Sequence, residues 1–141
     1  MTSLGPSTNQ PTLLFQDTTL VESKPVIKSG TVLDYICKNF SYLYSLIERE
    51  NLQHYYNDEL TKCTIFIPIN QTELSPKTIT INNKRINTIL LSTSEEMFLP
   101  SLSFDSVKVN YKNNIIYIND EPILFGDIMC INGIIHVVEN I

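Results

Sequence analysis

Leu33, Ile36, Phe40, Leu43 and Ile47 recur at spacings of three and four. Such spacing lays one apolar stripe along a helix, and Val32, Cys37 and Tyr44 widen it. Ser29-Gly30-Thr31 supplies a break and a cap, with Asp34 three residues further on. The pattern predicts one helix from Thr31 to about Glu50. Leu52 to Leu60 reads as a second short helix, or as a continuation past a bend at Asn51. Cys63-Thr64-Ile65-Phe66-Ile67-Pro68 is short, apolar and β-branched and ends in proline, which predicts a buried strand. Asn70 to Leu74 reads as a turn opening a brief helix. Thr78 to Ile81 alternates like a strand within a polar stretch that also suits an irregular link, and Ile86 to Leu91 is an apolar run of either type.

The last third is β-patterned. Val107, Val109 and Tyr111 alternate with polar residues, Asn113-Asn114 is a turn signal, and Ile115 to Ile118 completes a hairpin. After the turn Asn119-Asp120-Glu121-Pro122 come a short strand, Ile123 to Phe125, a link from Asp127 to Cys130, and a closing strand, Ile134 to Val138. Asn132-Gly133 before that strand reads as a tight turn in which Gly133 takes a positive φ. Helices first and antiparallel hairpins last indicate an α+β domain. Residues 1–24 read as a flexible or extended lead, with Leu13, Leu14, Phe15, Leu20 and Val21 apolar between Pro11 and Pro25, and residues 25–141 as one domain. Ile141 follows directly on a strand pattern, so the chain reads as excised from a longer protein.

Composition narrows the function classes. The chain has 141 residues, 43% hydrophobic and 18% charged, enough for one domain with a real core. A net charge of −5 with 10 scattered basic residues lacks the cationic field that nucleic acid requires. Cys37, Cys63 and Cys130 are far apart, with no CxxC pair and no histidine at ligand spacing; they read as buried apolar thiols, or as one disulfide with the third thiol left over, and predict no metal site. No signal peptide pattern and no run of membrane-spanning length is present, so any membrane attachment is expected through segments outside this chain. No phosphate loop, nucleophile elbow or HExxH pattern occurs, and no cofactor is expected.

Three segments in order resemble the fasciclin-like domain family. Phe40 to Leu52 is similar to the family's opening helix. Thr64-Ile65-Phe66-Ile67-Pro68-Ile69-Asn70 is similar to its first signature, and Asn132-Gly133-Ile134-Ile135-His136-Val137-Val138-Glu139 to its second. Thr64, Phe66, Pro68, Asn70, Asn132, Gly133 and His136 carry the match as structural positions. Ile67 and Ile69 replace the family's usual small residue and Thr, and Leu91-Ser92-Thr93 stands where the family often has Tyr-His in a segment proposed for integrin contact. The resemblance implies a wedge-shaped β-sandwich of about seven short strands with flanking N-terminal helices. It also implies a non-enzymatic adhesion or protein-interaction module of a secreted or membrane-tethered protein, with other proteins and sibling domains as partners. The alternative it implies is a lumenal domain of a fungal vacuolar or vesicular membrane protein supporting membrane fusion.

Within that frame His136 reads as a packed histidine bonded to the backbone, because no nucleophile or carboxylate is near it in sequence. Tyr55 and Tyr56 read either as an aromatic contact surface or as a cap over the core. Met97, Phe98, Leu99, Leu102 and Phe104 form an apolar stretch that Pro100 and the serines mark as irregular, a candidate contact patch where it is exposed. Asn39 and Asn70 head glycosylation sequons, Asn39-Phe40-Ser41 and Asn70-Gln71-Thr72.

Overall fold

The computed structural model describes residues 25–141; the expected lead, 1–24, lies outside the described residues. The apolar stripe forms two helices, α1 (Val32–Asn39) and α2 (Ser41–Arg49), rather than one. Phe40 leaves the helical region at φ −138°, ψ 71°. A straight helix of that length would measure about 30 Å, while the six-residue strand behind it spans only about 20 Å. The kink brings Leu33 and Ile36 of α1 and Leu43, Leu46 and Ile47 of α2 into one core. Thr31 caps α1, accepting from the Asp34 N–H at 3.2 Å, while the Asp34 carboxylate accepts from the Gly30 N–H at 2.9 Å. A third short helix, α3 (Gln53–Asn57), follows. The brief helix expected at Asn70–Leu74 is absent; the chain turns there without helical pairing and forms a single helical turn later, at Pro76–Ile79.

The described residues contain seven strands: β1 (Cys63–Pro68), β2 (Thr80–Asn82), β3 (Glu96–Pro100), β4 (Ser106–Lys112), β5 (Ile115–Ile118), β6 (Glu121–Cys130) and β7 (Gly133–Val138). A four-residue helix, α4 (Thr88–Leu91), lies between β2 and β3. The strand order is β2-β1-β7-β6-β5-β4-β3, with β1 and β7 parallel and every other pair antiparallel. Asn113-Asn114 and Asn119-Asp120 all have positive φ, so two-residue turns with the right twist close the β4–β5 and β5–β6 hairpins. The short strand and link expected over 123–130 are one long strand instead. Its register shifts around Phe125 and Asp127, a bulge that lets β6 pair with β5 at one end and with β7 at the other.

Two apolar cores result. One lies between the helices and the outer face of β1 and β7, with Cys63, Ile65, Ile67, Ile135 and Val137. The other lies between the leaves, joining Phe66, Ile81 and Val138 to Leu99, Val107, Val109 and Ile118. The free edges of the two leaves touch where the Leu102 N–H donates to the Thr80 carbonyl at 2.9 Å.

Gly133 does not take the expected positive φ; among the described glycines only Gly30 does. A Cβ on Gly133 would stand 2.7 Å from the Cys63 carbonyl oxygen and 2.8 Å from Val32 Cγ2. The residue is glycine because α1 and β1 close on it, not because of its dihedral angle. Cys63 and Cys130 are buried and Cys37 is only half-buried, and all three are free thiols. Cys63 and Cys130 flank Gly133 on opposite sides, two strands apart. That is about 10 Å between Cα atoms, beyond disulfide reach. Burial pushes the Cys63 thiol up to about 12 and the Cys130 thiol up to about 11, so both stay protonated and inert.

Candidate interaction surface

The signature residues sit inside the scaffold. Asn132 is fully buried. Its Oδ1 accepts from the Val32 N–H at 2.8 Å, and its Nδ2 donates to the carbonyls of Tyr56 at 2.9 Å and Asp58 at 3.0 Å. One side chain thus joins the start of α1, the end of α3 and the β6–β7 turn. Thr64 Oγ1 donates to the Lys84 carbonyl at 2.7 Å and accepts from the Ile86 N–H at 2.8 Å, seating the chain that leads to α4. Asn70 holds Glu139 through both backbone and side chain, at 2.9 Å each. Phe66 and Pro68 are buried in β1.

His136 is fully buried and stacked on Phe66, with ring centroids 5.6 Å apart. The Asp127 N–H donates to Nδ1 at 3.2 Å, and Nε2 lies 2.7 Å from the Ile86 carbonyl. With Nδ1 accepting, the proton sits on Nε2. Burial pulls the imidazole pKa below its ordinary value, outweighing the Ile86 carbonyl and the nearby Asp127 carboxylate, so the ring is neutral. Burial pushes the Asp127 carboxyl up, but two hydrogen bonds from Thr88, 2.8 Å from its N–H and 2.5 Å from its hydroxyl, leave it below the usual range. The Asp127 carboxylate therefore faces Thr88 rather than the imidazole, and both ring nitrogens are spent on backbone groups. The cluster orders the bulge; it has no base aimed at a nucleophile.

The sequence-predicted contact residues divide. Tyr56 is fully buried, its hydroxyl 2.7 Å from Thr80 Oγ1, and belongs to the core rather than to a surface. Tyr55 packs edge-on against it at 4.9 Å, half-buried, and bonds Asn82 Oδ1 at 2.7 Å. The stretch read as irregular contains the regular strand β3. Met97 and Leu99 turn inward onto the inter-leaf core, and Leu102 is half-buried at the seam. Phe98 and Phe104 are exposed, at 57% and 91%. Phe104 holds φ +72° beside a hollow of about 280 Å³ lined by Ile81, Lys84, Pro100 and Leu102. Asn39 and Asn70 are both exposed, and each side-chain amide has an intramolecular acceptor, the Tyr35 carbonyl and the Glu139 carboxylate.

Sequence reasoning missed a groove of about 410 Å³ between α4 and the β4–β5 hairpin. Ile89, Ile115, Ile116 and Ile123 line it together with Thr88, Ser92, Tyr111 and Asn114, a mixed lining with no charged side chain. Ile89 is 73% exposed and Ile115 43%. Leu91 alone of the Ile89-Leu90-Leu91 run is fully buried, because α4 is one turn long and presents only one side to the core. The signal was the run itself, three large apolar residues on a helix too short to bury them. No group of three or more His, Cys, Asp or Glu side chains suited to a metal occurs among the described residues, and no helix among them is long and apolar enough to cross a membrane.

Residues 81–141 match the family model described as Fasciclin domain. The chain is 27% identical over 130 residues to transforming growth factor-beta-induced protein ig-h3 of Sus scrofa, covering 79% of this chain and 19% of that protein. It is 30% identical over 131 residues to the same protein of Oryctolagus cuniculus, covering 80% and 19%. The chain thus spans about a fifth of the length of these relatives, 19% in each case. A solved FAS1 domain pair from the insect cell adhesion molecule Fasciclin I superposes with a TM-score of 0.62 at 18% identity, over 79% of this chain and 50% of that one. That likeness establishes the same fold.

Proposed function

The chain carries a fasciclin-like domain, and from that premise we propose that it serves as a non-catalytic protein-interaction module, held outside the cell or in a secretory lumen as part of a longer protein. The observation that carries this reading is the uncharged groove beside α4, with Ile89 exposed on its rim. Water-facing apolar surface around a concave groove gains free energy when a partner covers it. Phe98 and Phe104 are further contact residues, whereas Tyr55 braces β2 and Tyr56 the core. Partners are other proteins, sibling fasciclin-like domains among them, and no cofactor, metal or nucleic acid takes part. The insect protein of the same fold is a cell adhesion molecule, which supports adhesion ahead of a role in vacuolar membrane fusion.

The test is protease protection of the full-length natural protein in sealed vesicles. The domain is expected to be shielded until detergent is added, with Asn39 or Asn70 carrying glycan removable by endoglycosidase. Digestion without detergent would put the domain in the cytosol and overturn the reading.

A further inference from the structure

β3 is the end strand of its leaf, and its outer side has no partner among the described residues. The ladder fixes which backbone groups face that side. The Ser101 N–H donates to the Asp105 carbonyl and the Tyr111 N–H to the Glu95 carbonyl. Residues 95, 97, 99 and 101 therefore spend their groups on β4, and Glu96, Phe98 and Pro100 turn theirs outward. On the faces of the sheet, Met97 and Leu99 pack inward while Glu96, Phe98 and Pro100 are exposed.

Phe98 stands at the middle of the outward set, with Glu96 on one side and Pro100 on the other. We propose that this edge pairs with the same edge of a second copy of the chain, antiparallel about a two-fold axis at Phe98, joining two leaves into one continuous sheet. The Phe98 N–H of each copy donates to the Phe98 carbonyl of the other. On either side the Glu96 N–H donates to the Pro100 carbonyl of the other copy. Pro100 has no N–H to offer, so the Glu96 carbonyl opposite it keeps its water at the rim, where this costs little. Glu96 falls across from Pro100 and never across from another carboxylate, so pairing sets no like charges together. The two Phe98 rings meet side by side on the outer face, a favoured cross-strand pair.

The other edge explains why the pairing closes at two copies. Asn83 donates to the Lys62 carbonyl, so Thr80 and Asn82 face outward on β2. The Thr80 carbonyl is already taken by the Leu102 N–H. That leaves β2 three residues long and partly capped, a poor template for the five residues of β3. Pairing of β3 with β2 of the next copy, which would build an open filament, is thereby disfavoured against the isologous dimer. This surface is separate from the α4 groove, so the inference is tested apart from the groove, although it gives Phe98 a specific part in the contacts proposed above.

Sedimentation equilibrium of the full chain from micromolar to millimolar concentration tests it. A reversible dimer is expected. Phe98→Pro removes an N–H that β4 does not use, and Phe98→Asp keeps every backbone group but faces two carboxylates across the axis. Each is expected to raise the dissociation constant by about tenfold or more with the circular dichroism spectrum unchanged. Leu124→Asp and Ile89→Asp, exposed elsewhere, are expected to leave the dimer intact. Should Phe98→Pro fail to fold, Phe98→Asp decides. A chain monomeric at every concentration, or a dimer that Phe98→Asp leaves unaltered, overturns the proposal.

Discussion

β1 and β7 are buried along their full length on both faces, whereas β3 and β4 bury one face and show the other to solvent. The first pair is parallel and lies between the helices and the second leaf, which is the setting in which parallel strands read as unbroken apolar runs. The second pair belongs to consecutive hairpins closed by asparagine turns, and its residues alternate. The difference separates two kinds of residue. On β1 and β7 alternate side chains enter the two cores, so no position is free of packing, and the polar groups there, Thr64 and His136, are each fully bonded to backbone. On the outer leaf, alternate positions turn away from the core toward solvent. The two fasciclin signatures fall on the first pair and its flanking turns, so they report the fold. The contact surface proposed above lies on the outer leaf and α4, outside both signatures.

That contrast is broken most severely at Gly133. Gly133→Ala drives a methyl into the Cys63 carbonyl and Val32. It is expected to cost about 3–4 kcal/mol in urea unfolding. No cost, or the gain of about 0.4–1 kcal/mol that alanine brings where the backbone conformation suits it, would show that α1 and β1 do not close there. Asn132→Ala strips partners from the Val32 N–H and the buried Tyr56 carbonyl and one of the donors from the part-buried Asp58 carbonyl. A loss of about 3 kcal/mol is expected by the same measurement.

His136→Ala comes next, at about 2 kcal/mol, because the Asp127 N–H and the Ile86 carbonyl lose their partners. It also sharpens the pH behaviour. Burial holds the folded imidazole's pKa below its ordinary value of 6.5, so the unfolded chain takes up its proton first as pH falls. Stability is therefore full above about 6.5 and is lost as pH drops through the lowered folded value. The Asp127 carboxyl, also lowered, adds a second loss with the same sign at more acid pH, below 3.8. In His136→Ala the first of these slopes is expected to vanish from a series of melts across pH. Smallest of all on stability is Ile89→Asp, within about 0.5 kcal/mol, since that side chain is 73% exposed.

Much of the scaffold was legible in the sequence, because its signals are local. Continuous apolar runs marked β1 and β7, Asn113-Asn114 and Asn119-Asp120 marked two turns, and Thr31 marked the start of α1. The rest was set by distant parts of the chain. The kink at Phe40 turns α2 so that its apolar residues join those of α1 in one core. Gly126 and Asp127 look like breakers, yet they form the bulge by which β6 spans both leaves; a Cβ on Gly126 would come within 2.6 Å of Thr88 Cγ2. Pro100 looks like a stop to a strand, yet it sits where its missing N–H faces outward from the sheet, the place an edge strand tolerates proline. The groove was hidden for the same reason. It arises where α4 crosses the β4–β5 hairpin, and no window of sequence contains both.

The measurement closest to the central claim is attachment of cells from the protein's own source to the immobilised domain, compared with Ile89→Asp and Ile115→Asp. Both variants are expected to melt with the parent, because their side chains lie on the rim rather than in either core. The account predicts attachment to the parent domain and its loss in both folded variants. Absence of attachment to the parent, or attachment that both substitutions leave unaltered, would contradict it.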